Sequence, residues 1–178
     1  SSAVGMDKYV MKTILKDNDI PVLDCVLVFS NDYDKNPDEL VEKIENSTPY
    51  PVIVKPINLG SSVGISKASN RSELLESLET AFLFSQKILV EKAVQNLKEI
   101  NCSVLGDYEF AESSECEEPV NSDDILSFED KYIGGSKDGG SKGMATLKRK
   151  IPADITQEQR EYIRGLAVKA FRVLGCSG

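Results

Sequence analysis

Apolar residues recur at helical spacing over residues 6–16, where Val10, Met11, Ile14 and Leu15 share one face. Asp19-Ile20-Pro21 stops that helix, and the apolar run from Cys25 to Phe29 then predicts a strand. Asn36-Pro37-Asp38-Glu39 sets a capping residue, a proline at the first helical position and a Glu three residues after the cap. A second helix carrying Leu40, Val41 and Ile44 is expected from there. Residues 51–56 read as a short buried strand closed by Pro56, and residues 63–68 as an extended segment beyond the small-residue turn Gly60-Ser61-Ser62. Asn70-Arg71-Ser72-Glu73 predicts another capped helix, with Leu74, Leu75, Leu78 and Phe82 as its stripe.

The second half is patterned differently. Residues 88–94 read as a strand, and Ile100, Cys102 and Val104 alternate with Glu99, Asn101 and Ser103, which predicts a strand with one buried and one polar face. Residues 109–119 are acidic and weakly patterned, and residues 134–143 are rich in Gly, Ser and Lys, a composition suited to a mobile loop. Thr156-Gln157-Glu158-Gln159 caps a last helix with Ile163, Leu166, Ala170 and Val173 on one face and Gly175 at its end. Helices and strands alternate, so the fold class is α/β or α+β, with a seam near Val94.

Composition narrows the chemistry. The formal charge of -8 opposes a non-specific grip on nucleic-acid phosphates. No apolar run approaches the roughly 20 residues of a membrane span, and Ser1 to Gly5 lack the pattern of a signal peptide, so a cytoplasmic protein is expected. The chain has no His, and its 4 cysteines, Cys25, Cys102, Cys116 and Cys176, form no C-x-x-C pair. Zinc centres and nucleophile systems that need an imidazole are thereby disfavoured, leaving Lys, Ser, Tyr and carboxylates to do any chemistry.

The segment Lys55-Pro56-Ile57-Asn58-Leu59-Gly60-Ser61-Ser62-Val63-Gly64 offers an ammonium, two hydroxyls and open backbone N–H groups to one polyanion, for which phosphate is the natural ligand. A plain hairpin with a solvated lysine has the same pattern. The G-x-G-x-x-G spacing of dinucleotide sites is absent, and the P-loop pattern fails at Gly140, which Ser141 follows. Glu91-Lys92 closes a strand, where an acid and a base beside exposed backbone can meet the edge of an adenine ring. Glu99, Lys131-Tyr132 and Met6-Asp7-Lys8 add further charges that, taken singly, read as solvated surface, and it is their order along the chain that counts. The acids Glu115 to Glu118, Asp123 and Asp124 read as a solvated loop, and no metal ligand is assigned.

In order along the chain, these motifs resemble the D-alanine:D-alanine ligase family of the ATP-grasp superfamily. The likeness is carried by Met6-Asp7-Lys8, Val52-Ile53-Val54-Lys55-Pro56 with Gly60-Ser61-Ser62-Val63-Gly64, Leu89-Val90-Glu91-Lys92, and Glu99 before Val104-Leu105-Gly106. Asp130-Lys131-Tyr132 and Ile151-Pro152-Ala153 extend it through nearly the whole chain. The resemblance implies an incomplete ATP-grasp fold, two α+β subdomains with the nucleotide between them. Residues 1–93 would form the central subdomain and residues 94–178 the start of the C-terminal one, with a mobile loop at 133–145.

It further implies a ligase that activates D-alanine as an acyl phosphate, using ATP and Mg2+, and joins it to a second D-amino acid for peptidoglycan. Lys8, Lys55 and Lys131 then resemble phosphate-binding lysines, and Gly60, Ser61 and Ser62 the covering loop. Glu91, Lys92 and Val94 resemble adenine-site residues, and Glu99 the ribose acid. Ser61, Lys131 and Tyr132 are the residues implied at the reacting groups, with Ser61 positioning and Tyr132 linking the loop to Ser61 and Glu99. The family's N-terminal domain is expected before Ser1 and its metal-binding segment after Gly178, with the full-length enzyme a homodimer. The residues around Ser141-Lys142-Gly143-Met144-Ala145 resemble members that accept D-serine, so D-alanine and D-serine both stand as second substrate. Another ATP-grasp carboxylate-amine ligase, or a nucleotide-binding module inactive in isolation, remain alternatives.

Overall fold

The structure, a computed structural model, describes residues 2–119 and 149–178. They fall into two compact units, one holding Ser2–Thr13 with Pro21–Gln95 and the other Ile14–Ile20 with Asn96–Gly178.

The first unit is built on a four-stranded antiparallel sheet of β1 (Cys25–Phe29), β2 (Val52–Pro56), β3 (Ser66–Ala68) and β4 (Lys87–Lys92), in the order β1-β4-β2-β3. Side chains alternate across a strand, so the register decides what each face presents. Val26 and Val28 stand beside Val90 and Ile88, and these beside Val54 and Pro56. That face meets two helices, α4 (Pro37–Ser47) and α5 (Arg71–Phe82), which supply Leu40, Val41, Ile44, Leu74, Leu78 and Ala81 to one continuous core. The opposite face carries Cys25 beside Glu91 and Ile53, with Leu27 beside Leu89 and Lys55. Burial of the helix-facing side is what aims Lys55 and Glu91 the other way.

Both helices start as their caps predict. The Asn36 side chain accepts from Glu39 N at 3.2 Å and the Asn70 side chain from Glu73 N at 3.0 Å. The Glu half of each box differs from expectation. Glu73 accepts from Ser69 N, one residue early, and Glu39 from the Asn36 side chain. The N-terminal segment also differs, because Asp7 divides it into α1 (Ser2–Met6) and α2 (Lys8–Asp17). Asp7 Oδ1 accepts from Tyr9 N and Val10 N, so the residue ends one helix by capping the next. A further short helix, α3 (Ser30–Lys35), precedes the Asn36 cap; its polar sequence carried no apolar stripe to reveal it. The extended segment expected over residues 63–68 shortens to β3, because residues 61–64 are taken up by a turn.

In the second unit, β5 (Val104–Gly106) pairs with β6 (Ala111–Ser113), and β7 (Glu118–Pro119) with β8 (Arg149–Lys150), both antiparallel. The alternation over residues 99–104 therefore yields one isolated bridge, Asn101 to Glu117, and a strand beginning only at Val104. The acidic stretch 109–119 is structured. Glu115 pairs with Arg160, Glu117 with Arg149 and Glu118 with Lys98, while Cys116 between them is fully buried. Its charges answer partners distant in sequence, which local composition does not show. The last helix, α6 (Gln157–Val173), has both halves of the predicted capping box, and its Arg164 donates to Ser113 Oγ at 3.0 Å. Cys176 N reaches Phe171 O and Gly175 N reaches Arg172 O, both at 3.0 Å, a paired closure that Gly175 permits at φ 64°.

Candidate functional site

On the face of the sheet opposite α4 and α5, one buried carboxylate gathers cations from two elements. Glu91 Oε1 accepts from Lys55 on β2, and Glu91 Oε2 from Lys12 on α2 at 2.5 Å. Burial alone would raise the Glu91 pKa, yet the hydrogen bonds from Lys12 and Lys55 outweigh it, holding the carboxyl below its ordinary range. One helical turn before Lys12, Lys8 donates to the carbonyls of Pro56 at 3.1 Å, Ile57 at 3.4 Å and Leu59. Burial, and then repulsion from Lys55, pull the Lys8 pKa down. Lys8 N also donates to Ile57 O at 3.0 Å, which fixes the start of α2 at the end of β2. Two lysines thus hold one buried glutamate and a third, Lys8, is held by carbonyls close by, an excess of positive charge that suits an anion.

The turn that follows is unusual in its backbone. Ser61 and Ser62 hold φ of 53° and 63°, and Gly64 holds 69°, so three of four consecutive residues are left-handed. Two are not glycine, and each such residue costs about 1 to 3 kcal/mol, a strain that concentrates where a loop must present groups to a ligand. Val63 N to Gly60 O at 3.1 Å and Ile65 N to Ser62 O at 3.2 Å hold the turn closed. A Cβ on Gly64 would lie 2.9 Å from both Phe84 Cδ2 and Pro56 Cγ. Gly64→Ala should therefore cost about 1 to 2 kcal/mol from φ alone, plus the displaced contacts. We expect a lower melting temperature with Ser61 and Ser62 shifted. An unchanged melting temperature would show that the turn relaxes freely.

The structure brings together Lys8, Lys55, Glu91 and the Gly60-Ser61-Ser62 turn within one unit. It separates the side chains of Glu91 and Lys92. They are neighbours on β4, so they point to opposite faces. Val94 is 48% exposed just past the strand end, and Glu99 lies exposed in the other unit. Lys131, Tyr132 and the loop 133–145 lie outside the described residues. Sequence reasoning missed Lys12 and Cys25. Lys12 stands four residues after Lys8 and so shares its helix face, a signal that was available. Cys25 sits opposite Glu91 in register, and burial pushes its thiol pKa up. Among the described residues no group of three or more His, Cys, Asp or Glu side chains is placed to hold a metal ion.

The same arrangement of elements occurs in solved ligases. Over 99% of this chain and 47% of its own, the VanG D-Ala:D-Ser ligase from Enterococcus faecalis superposes with a TM-score of 0.76 at 27% identity. The fold is therefore that of an ATP-grasp ligase, of which this chain forms part. Residues 14–178 match the family model described as the D-ala D-ala ligase C-terminus, and the chain belongs to that family. The D-alanine--D-alanine ligases of Acetivibrio thermocellus and Clostridium novyi are each 39% identical to it over all 178 residues. The chain spans 44% and 48% of their respective lengths.

Proposed function

We propose that the protein carrying this chain joins D-alanine to a second D-amino acid, D-alanine in the first place, at the expense of ATP, and that this chain holds the nucleotide. The observation behind the proposal is the pairing of Lys12 and Lys55 with Glu91, and of Lys8 with the carbonyls of Pro56, Ile57 and Leu59, beside the left-handed Ser61-Ser62 turn. When bound, ATP supplies the phosphoryl group that activates a carboxylate toward an amine. Lys55 offsets phosphate charge from β2, while Lys8 ties down the carbonyls that precede the turn and adds its own charge. Gly60, Ser61 and Ser62 offer backbone N–H groups and hydroxyls to the phosphates. Ser61 positions, because without an adjacent base a hydroxyl is a weak nucleophile. Glu91, the Lys92 backbone and Val94 meet the adenine edge, and Glu99 the ribose.

Lys131 and Tyr132, with the loop 133–145 as a lid, enter this reading from the family resemblance, as does the division into subdomains at residues 93 and 94. So does Mg2+, for which the described residues offer no cluster of carboxylates. D-alanine is preferred as second substrate because the relatives at 39% identity are D-alanine--D-alanine ligases, whereas the D-Ala:D-Ser enzyme is 27% identical. A cytoplasmic setting and a homodimer belong to the same reading. The four free cysteines support a reducing compartment.

The test is direct. The intact protein with ATP, Mg2+ and D-alanine should release one phosphate per dipeptide formed, and D-serine in place of excess D-alanine should give less mixed product. Absence of D-alanine-dependent phosphate release would overturn the proposal. Preference for D-serine would move the protein to the D-Ala:D-Ser side of its relatives.

A further inference from the structure

We propose that Lys12 is a positioning residue of this site, the counter-ion that stays on Glu91 when Lys55 leaves it for the phosphates of a bound nucleotide. The inference rests on the nucleotide reading above and adds to it a residue with a defined task. The two oxygens of Glu91 are shared between two lysines, Oε2 with Lys12 and Oε1 with Lys55. All three side chains are withdrawn from solvent, with 8% of Glu91, 13% of Lys12 and 19% of Lys55 exposed. Lys55 carries a single positive charge, so as it turns to a phosphate it leaves a buried carboxylate less fully neutralised. A carboxylate stripped of its partner in such a place is far more costly than an exposed one.

Lys12 resolves the conflict by arithmetic of charge. One carboxylate and two ammonium groups leave a surplus of one positive charge, and that surplus can turn to an incoming anion while a neutral pair remains behind. No other described neighbour can take over. Lys8, on the same helix, is engaged by the carbonyls of Pro56, Ile57 and Leu59. From β1, Cys25 faces Glu91 as a thiol whose pKa is raised first by burial and further by Glu91 itself, so it stays neutral. Asp7 and Asp24, the acids acting on Lys8 and Cys25, carry the wrong sign. From β2, the register partner of Glu91 is Ile53, which carries no charge.

Without Lys12, Glu91 keeps its charge only while Lys55 stays on it. Nucleotide binding must then either leave Lys55 behind or protonate Glu91. The second route takes up a proton, so affinity rises as pH falls between the Glu91 pKa of the free protein and the higher one of the complex. With Lys12 present, Glu91 is ionised in both states and contributes no such uptake.

The experiment is calorimetry of ADP binding to the intact protein across a pH range, in buffers of different ionisation enthalpy. Wild type subtracts the titration of ADP itself. Lys12→Met should bind about tenfold more weakly near pH 8, with the deficit shrinking as pH falls and up to one extra proton is taken up. Lys12→Arg should restore the wild-type profile. In a Glu91→Gln background, Lys12→Met should cost nothing further, since no buried charge is left to stabilise. An equal loss at every pH, or an undiminished loss in the Glu91→Gln background, would overturn the proposal and leave the nucleotide reading intact. A wild-type protein that does not bind ADP would instead overturn the nucleotide reading and this inference with it.

Discussion

Alanine at Gly106 should lower the stability of the unit built on Asn96–Gly178 by about 3 kcal/mol or more, the sum of backbone strain and overpacking. Gly106 holds φ at 145°, where an L side chain rarely fits, and an added Cβ would stand 2.1 Å from Phe110 O and 2.7 Å from Ala111 Cα. Both obstacles are backbone, so no rotamer change relieves them. Nor can the hairpin step aside cheaply. Phe110 O already accepts from Asp107 N at 2.6 Å, and Asp107 Oδ1 accepts from Glu109 N and Phe110 N, which closes the turn from both sides. Gly106 also exchanges two hydrogen bonds with Gly178, at 2.8 and 3.0 Å. The readout is urea unfolding together with amide protection across residues 104–113, since a chain of two units need not unfold in one step. Protection retained at the wild-type level would show that the hairpin accommodates a Cβ.

Where local pattern and tertiary burial agree, the sequence was legible. The strand Cys25–Phe29, the caps at Asn36, Asn70 and Thr156, and the stripes on α4 and α5 all follow from period and cap chemistry, because each is a contact between residues a few positions apart. What stayed hidden depends on distant partners. Residues 109–119 look like a solvated acidic loop until Arg160, Arg149 and Lys98 arrive from elsewhere in the chain to pair with Glu115, Glu117 and Glu118. Glu91 is similar: from sequence it is an acid at a strand end, and only the register beside Cys25 and Ile53 makes it a buried hub for two lysines. The left-handed Ser61 and Ser62 were equally invisible, since serine carries no local signal for that conformation.

Lys55→Met in the intact protein should weaken ATP binding by roughly tenfold or more, the loss of one charge-assisted phosphate contact of about 1.5 to 3 kcal/mol. Methionine retains the length and apolar stem of the side chain, so the change isolates the ammonium. The fold should be little affected, because Glu91 remains paired with Lys12 when Lys55 is removed. Lys8→Met makes the contrast. Lys8 holds three carbonyls between β2 and the Gly60 turn, so its loss should reduce both stability and affinity. Calorimetry of ATP binding, paired with thermal melting of both variants, separates the two roles. If Lys55→Met bound ATP as wild type does, Lys55 would be a structural partner of Glu91 alone. The phosphates would then have to be met by Lys8 and the backbone of the Ser61-Ser62 turn, whose left-handed conformation would become the main determinant of the site.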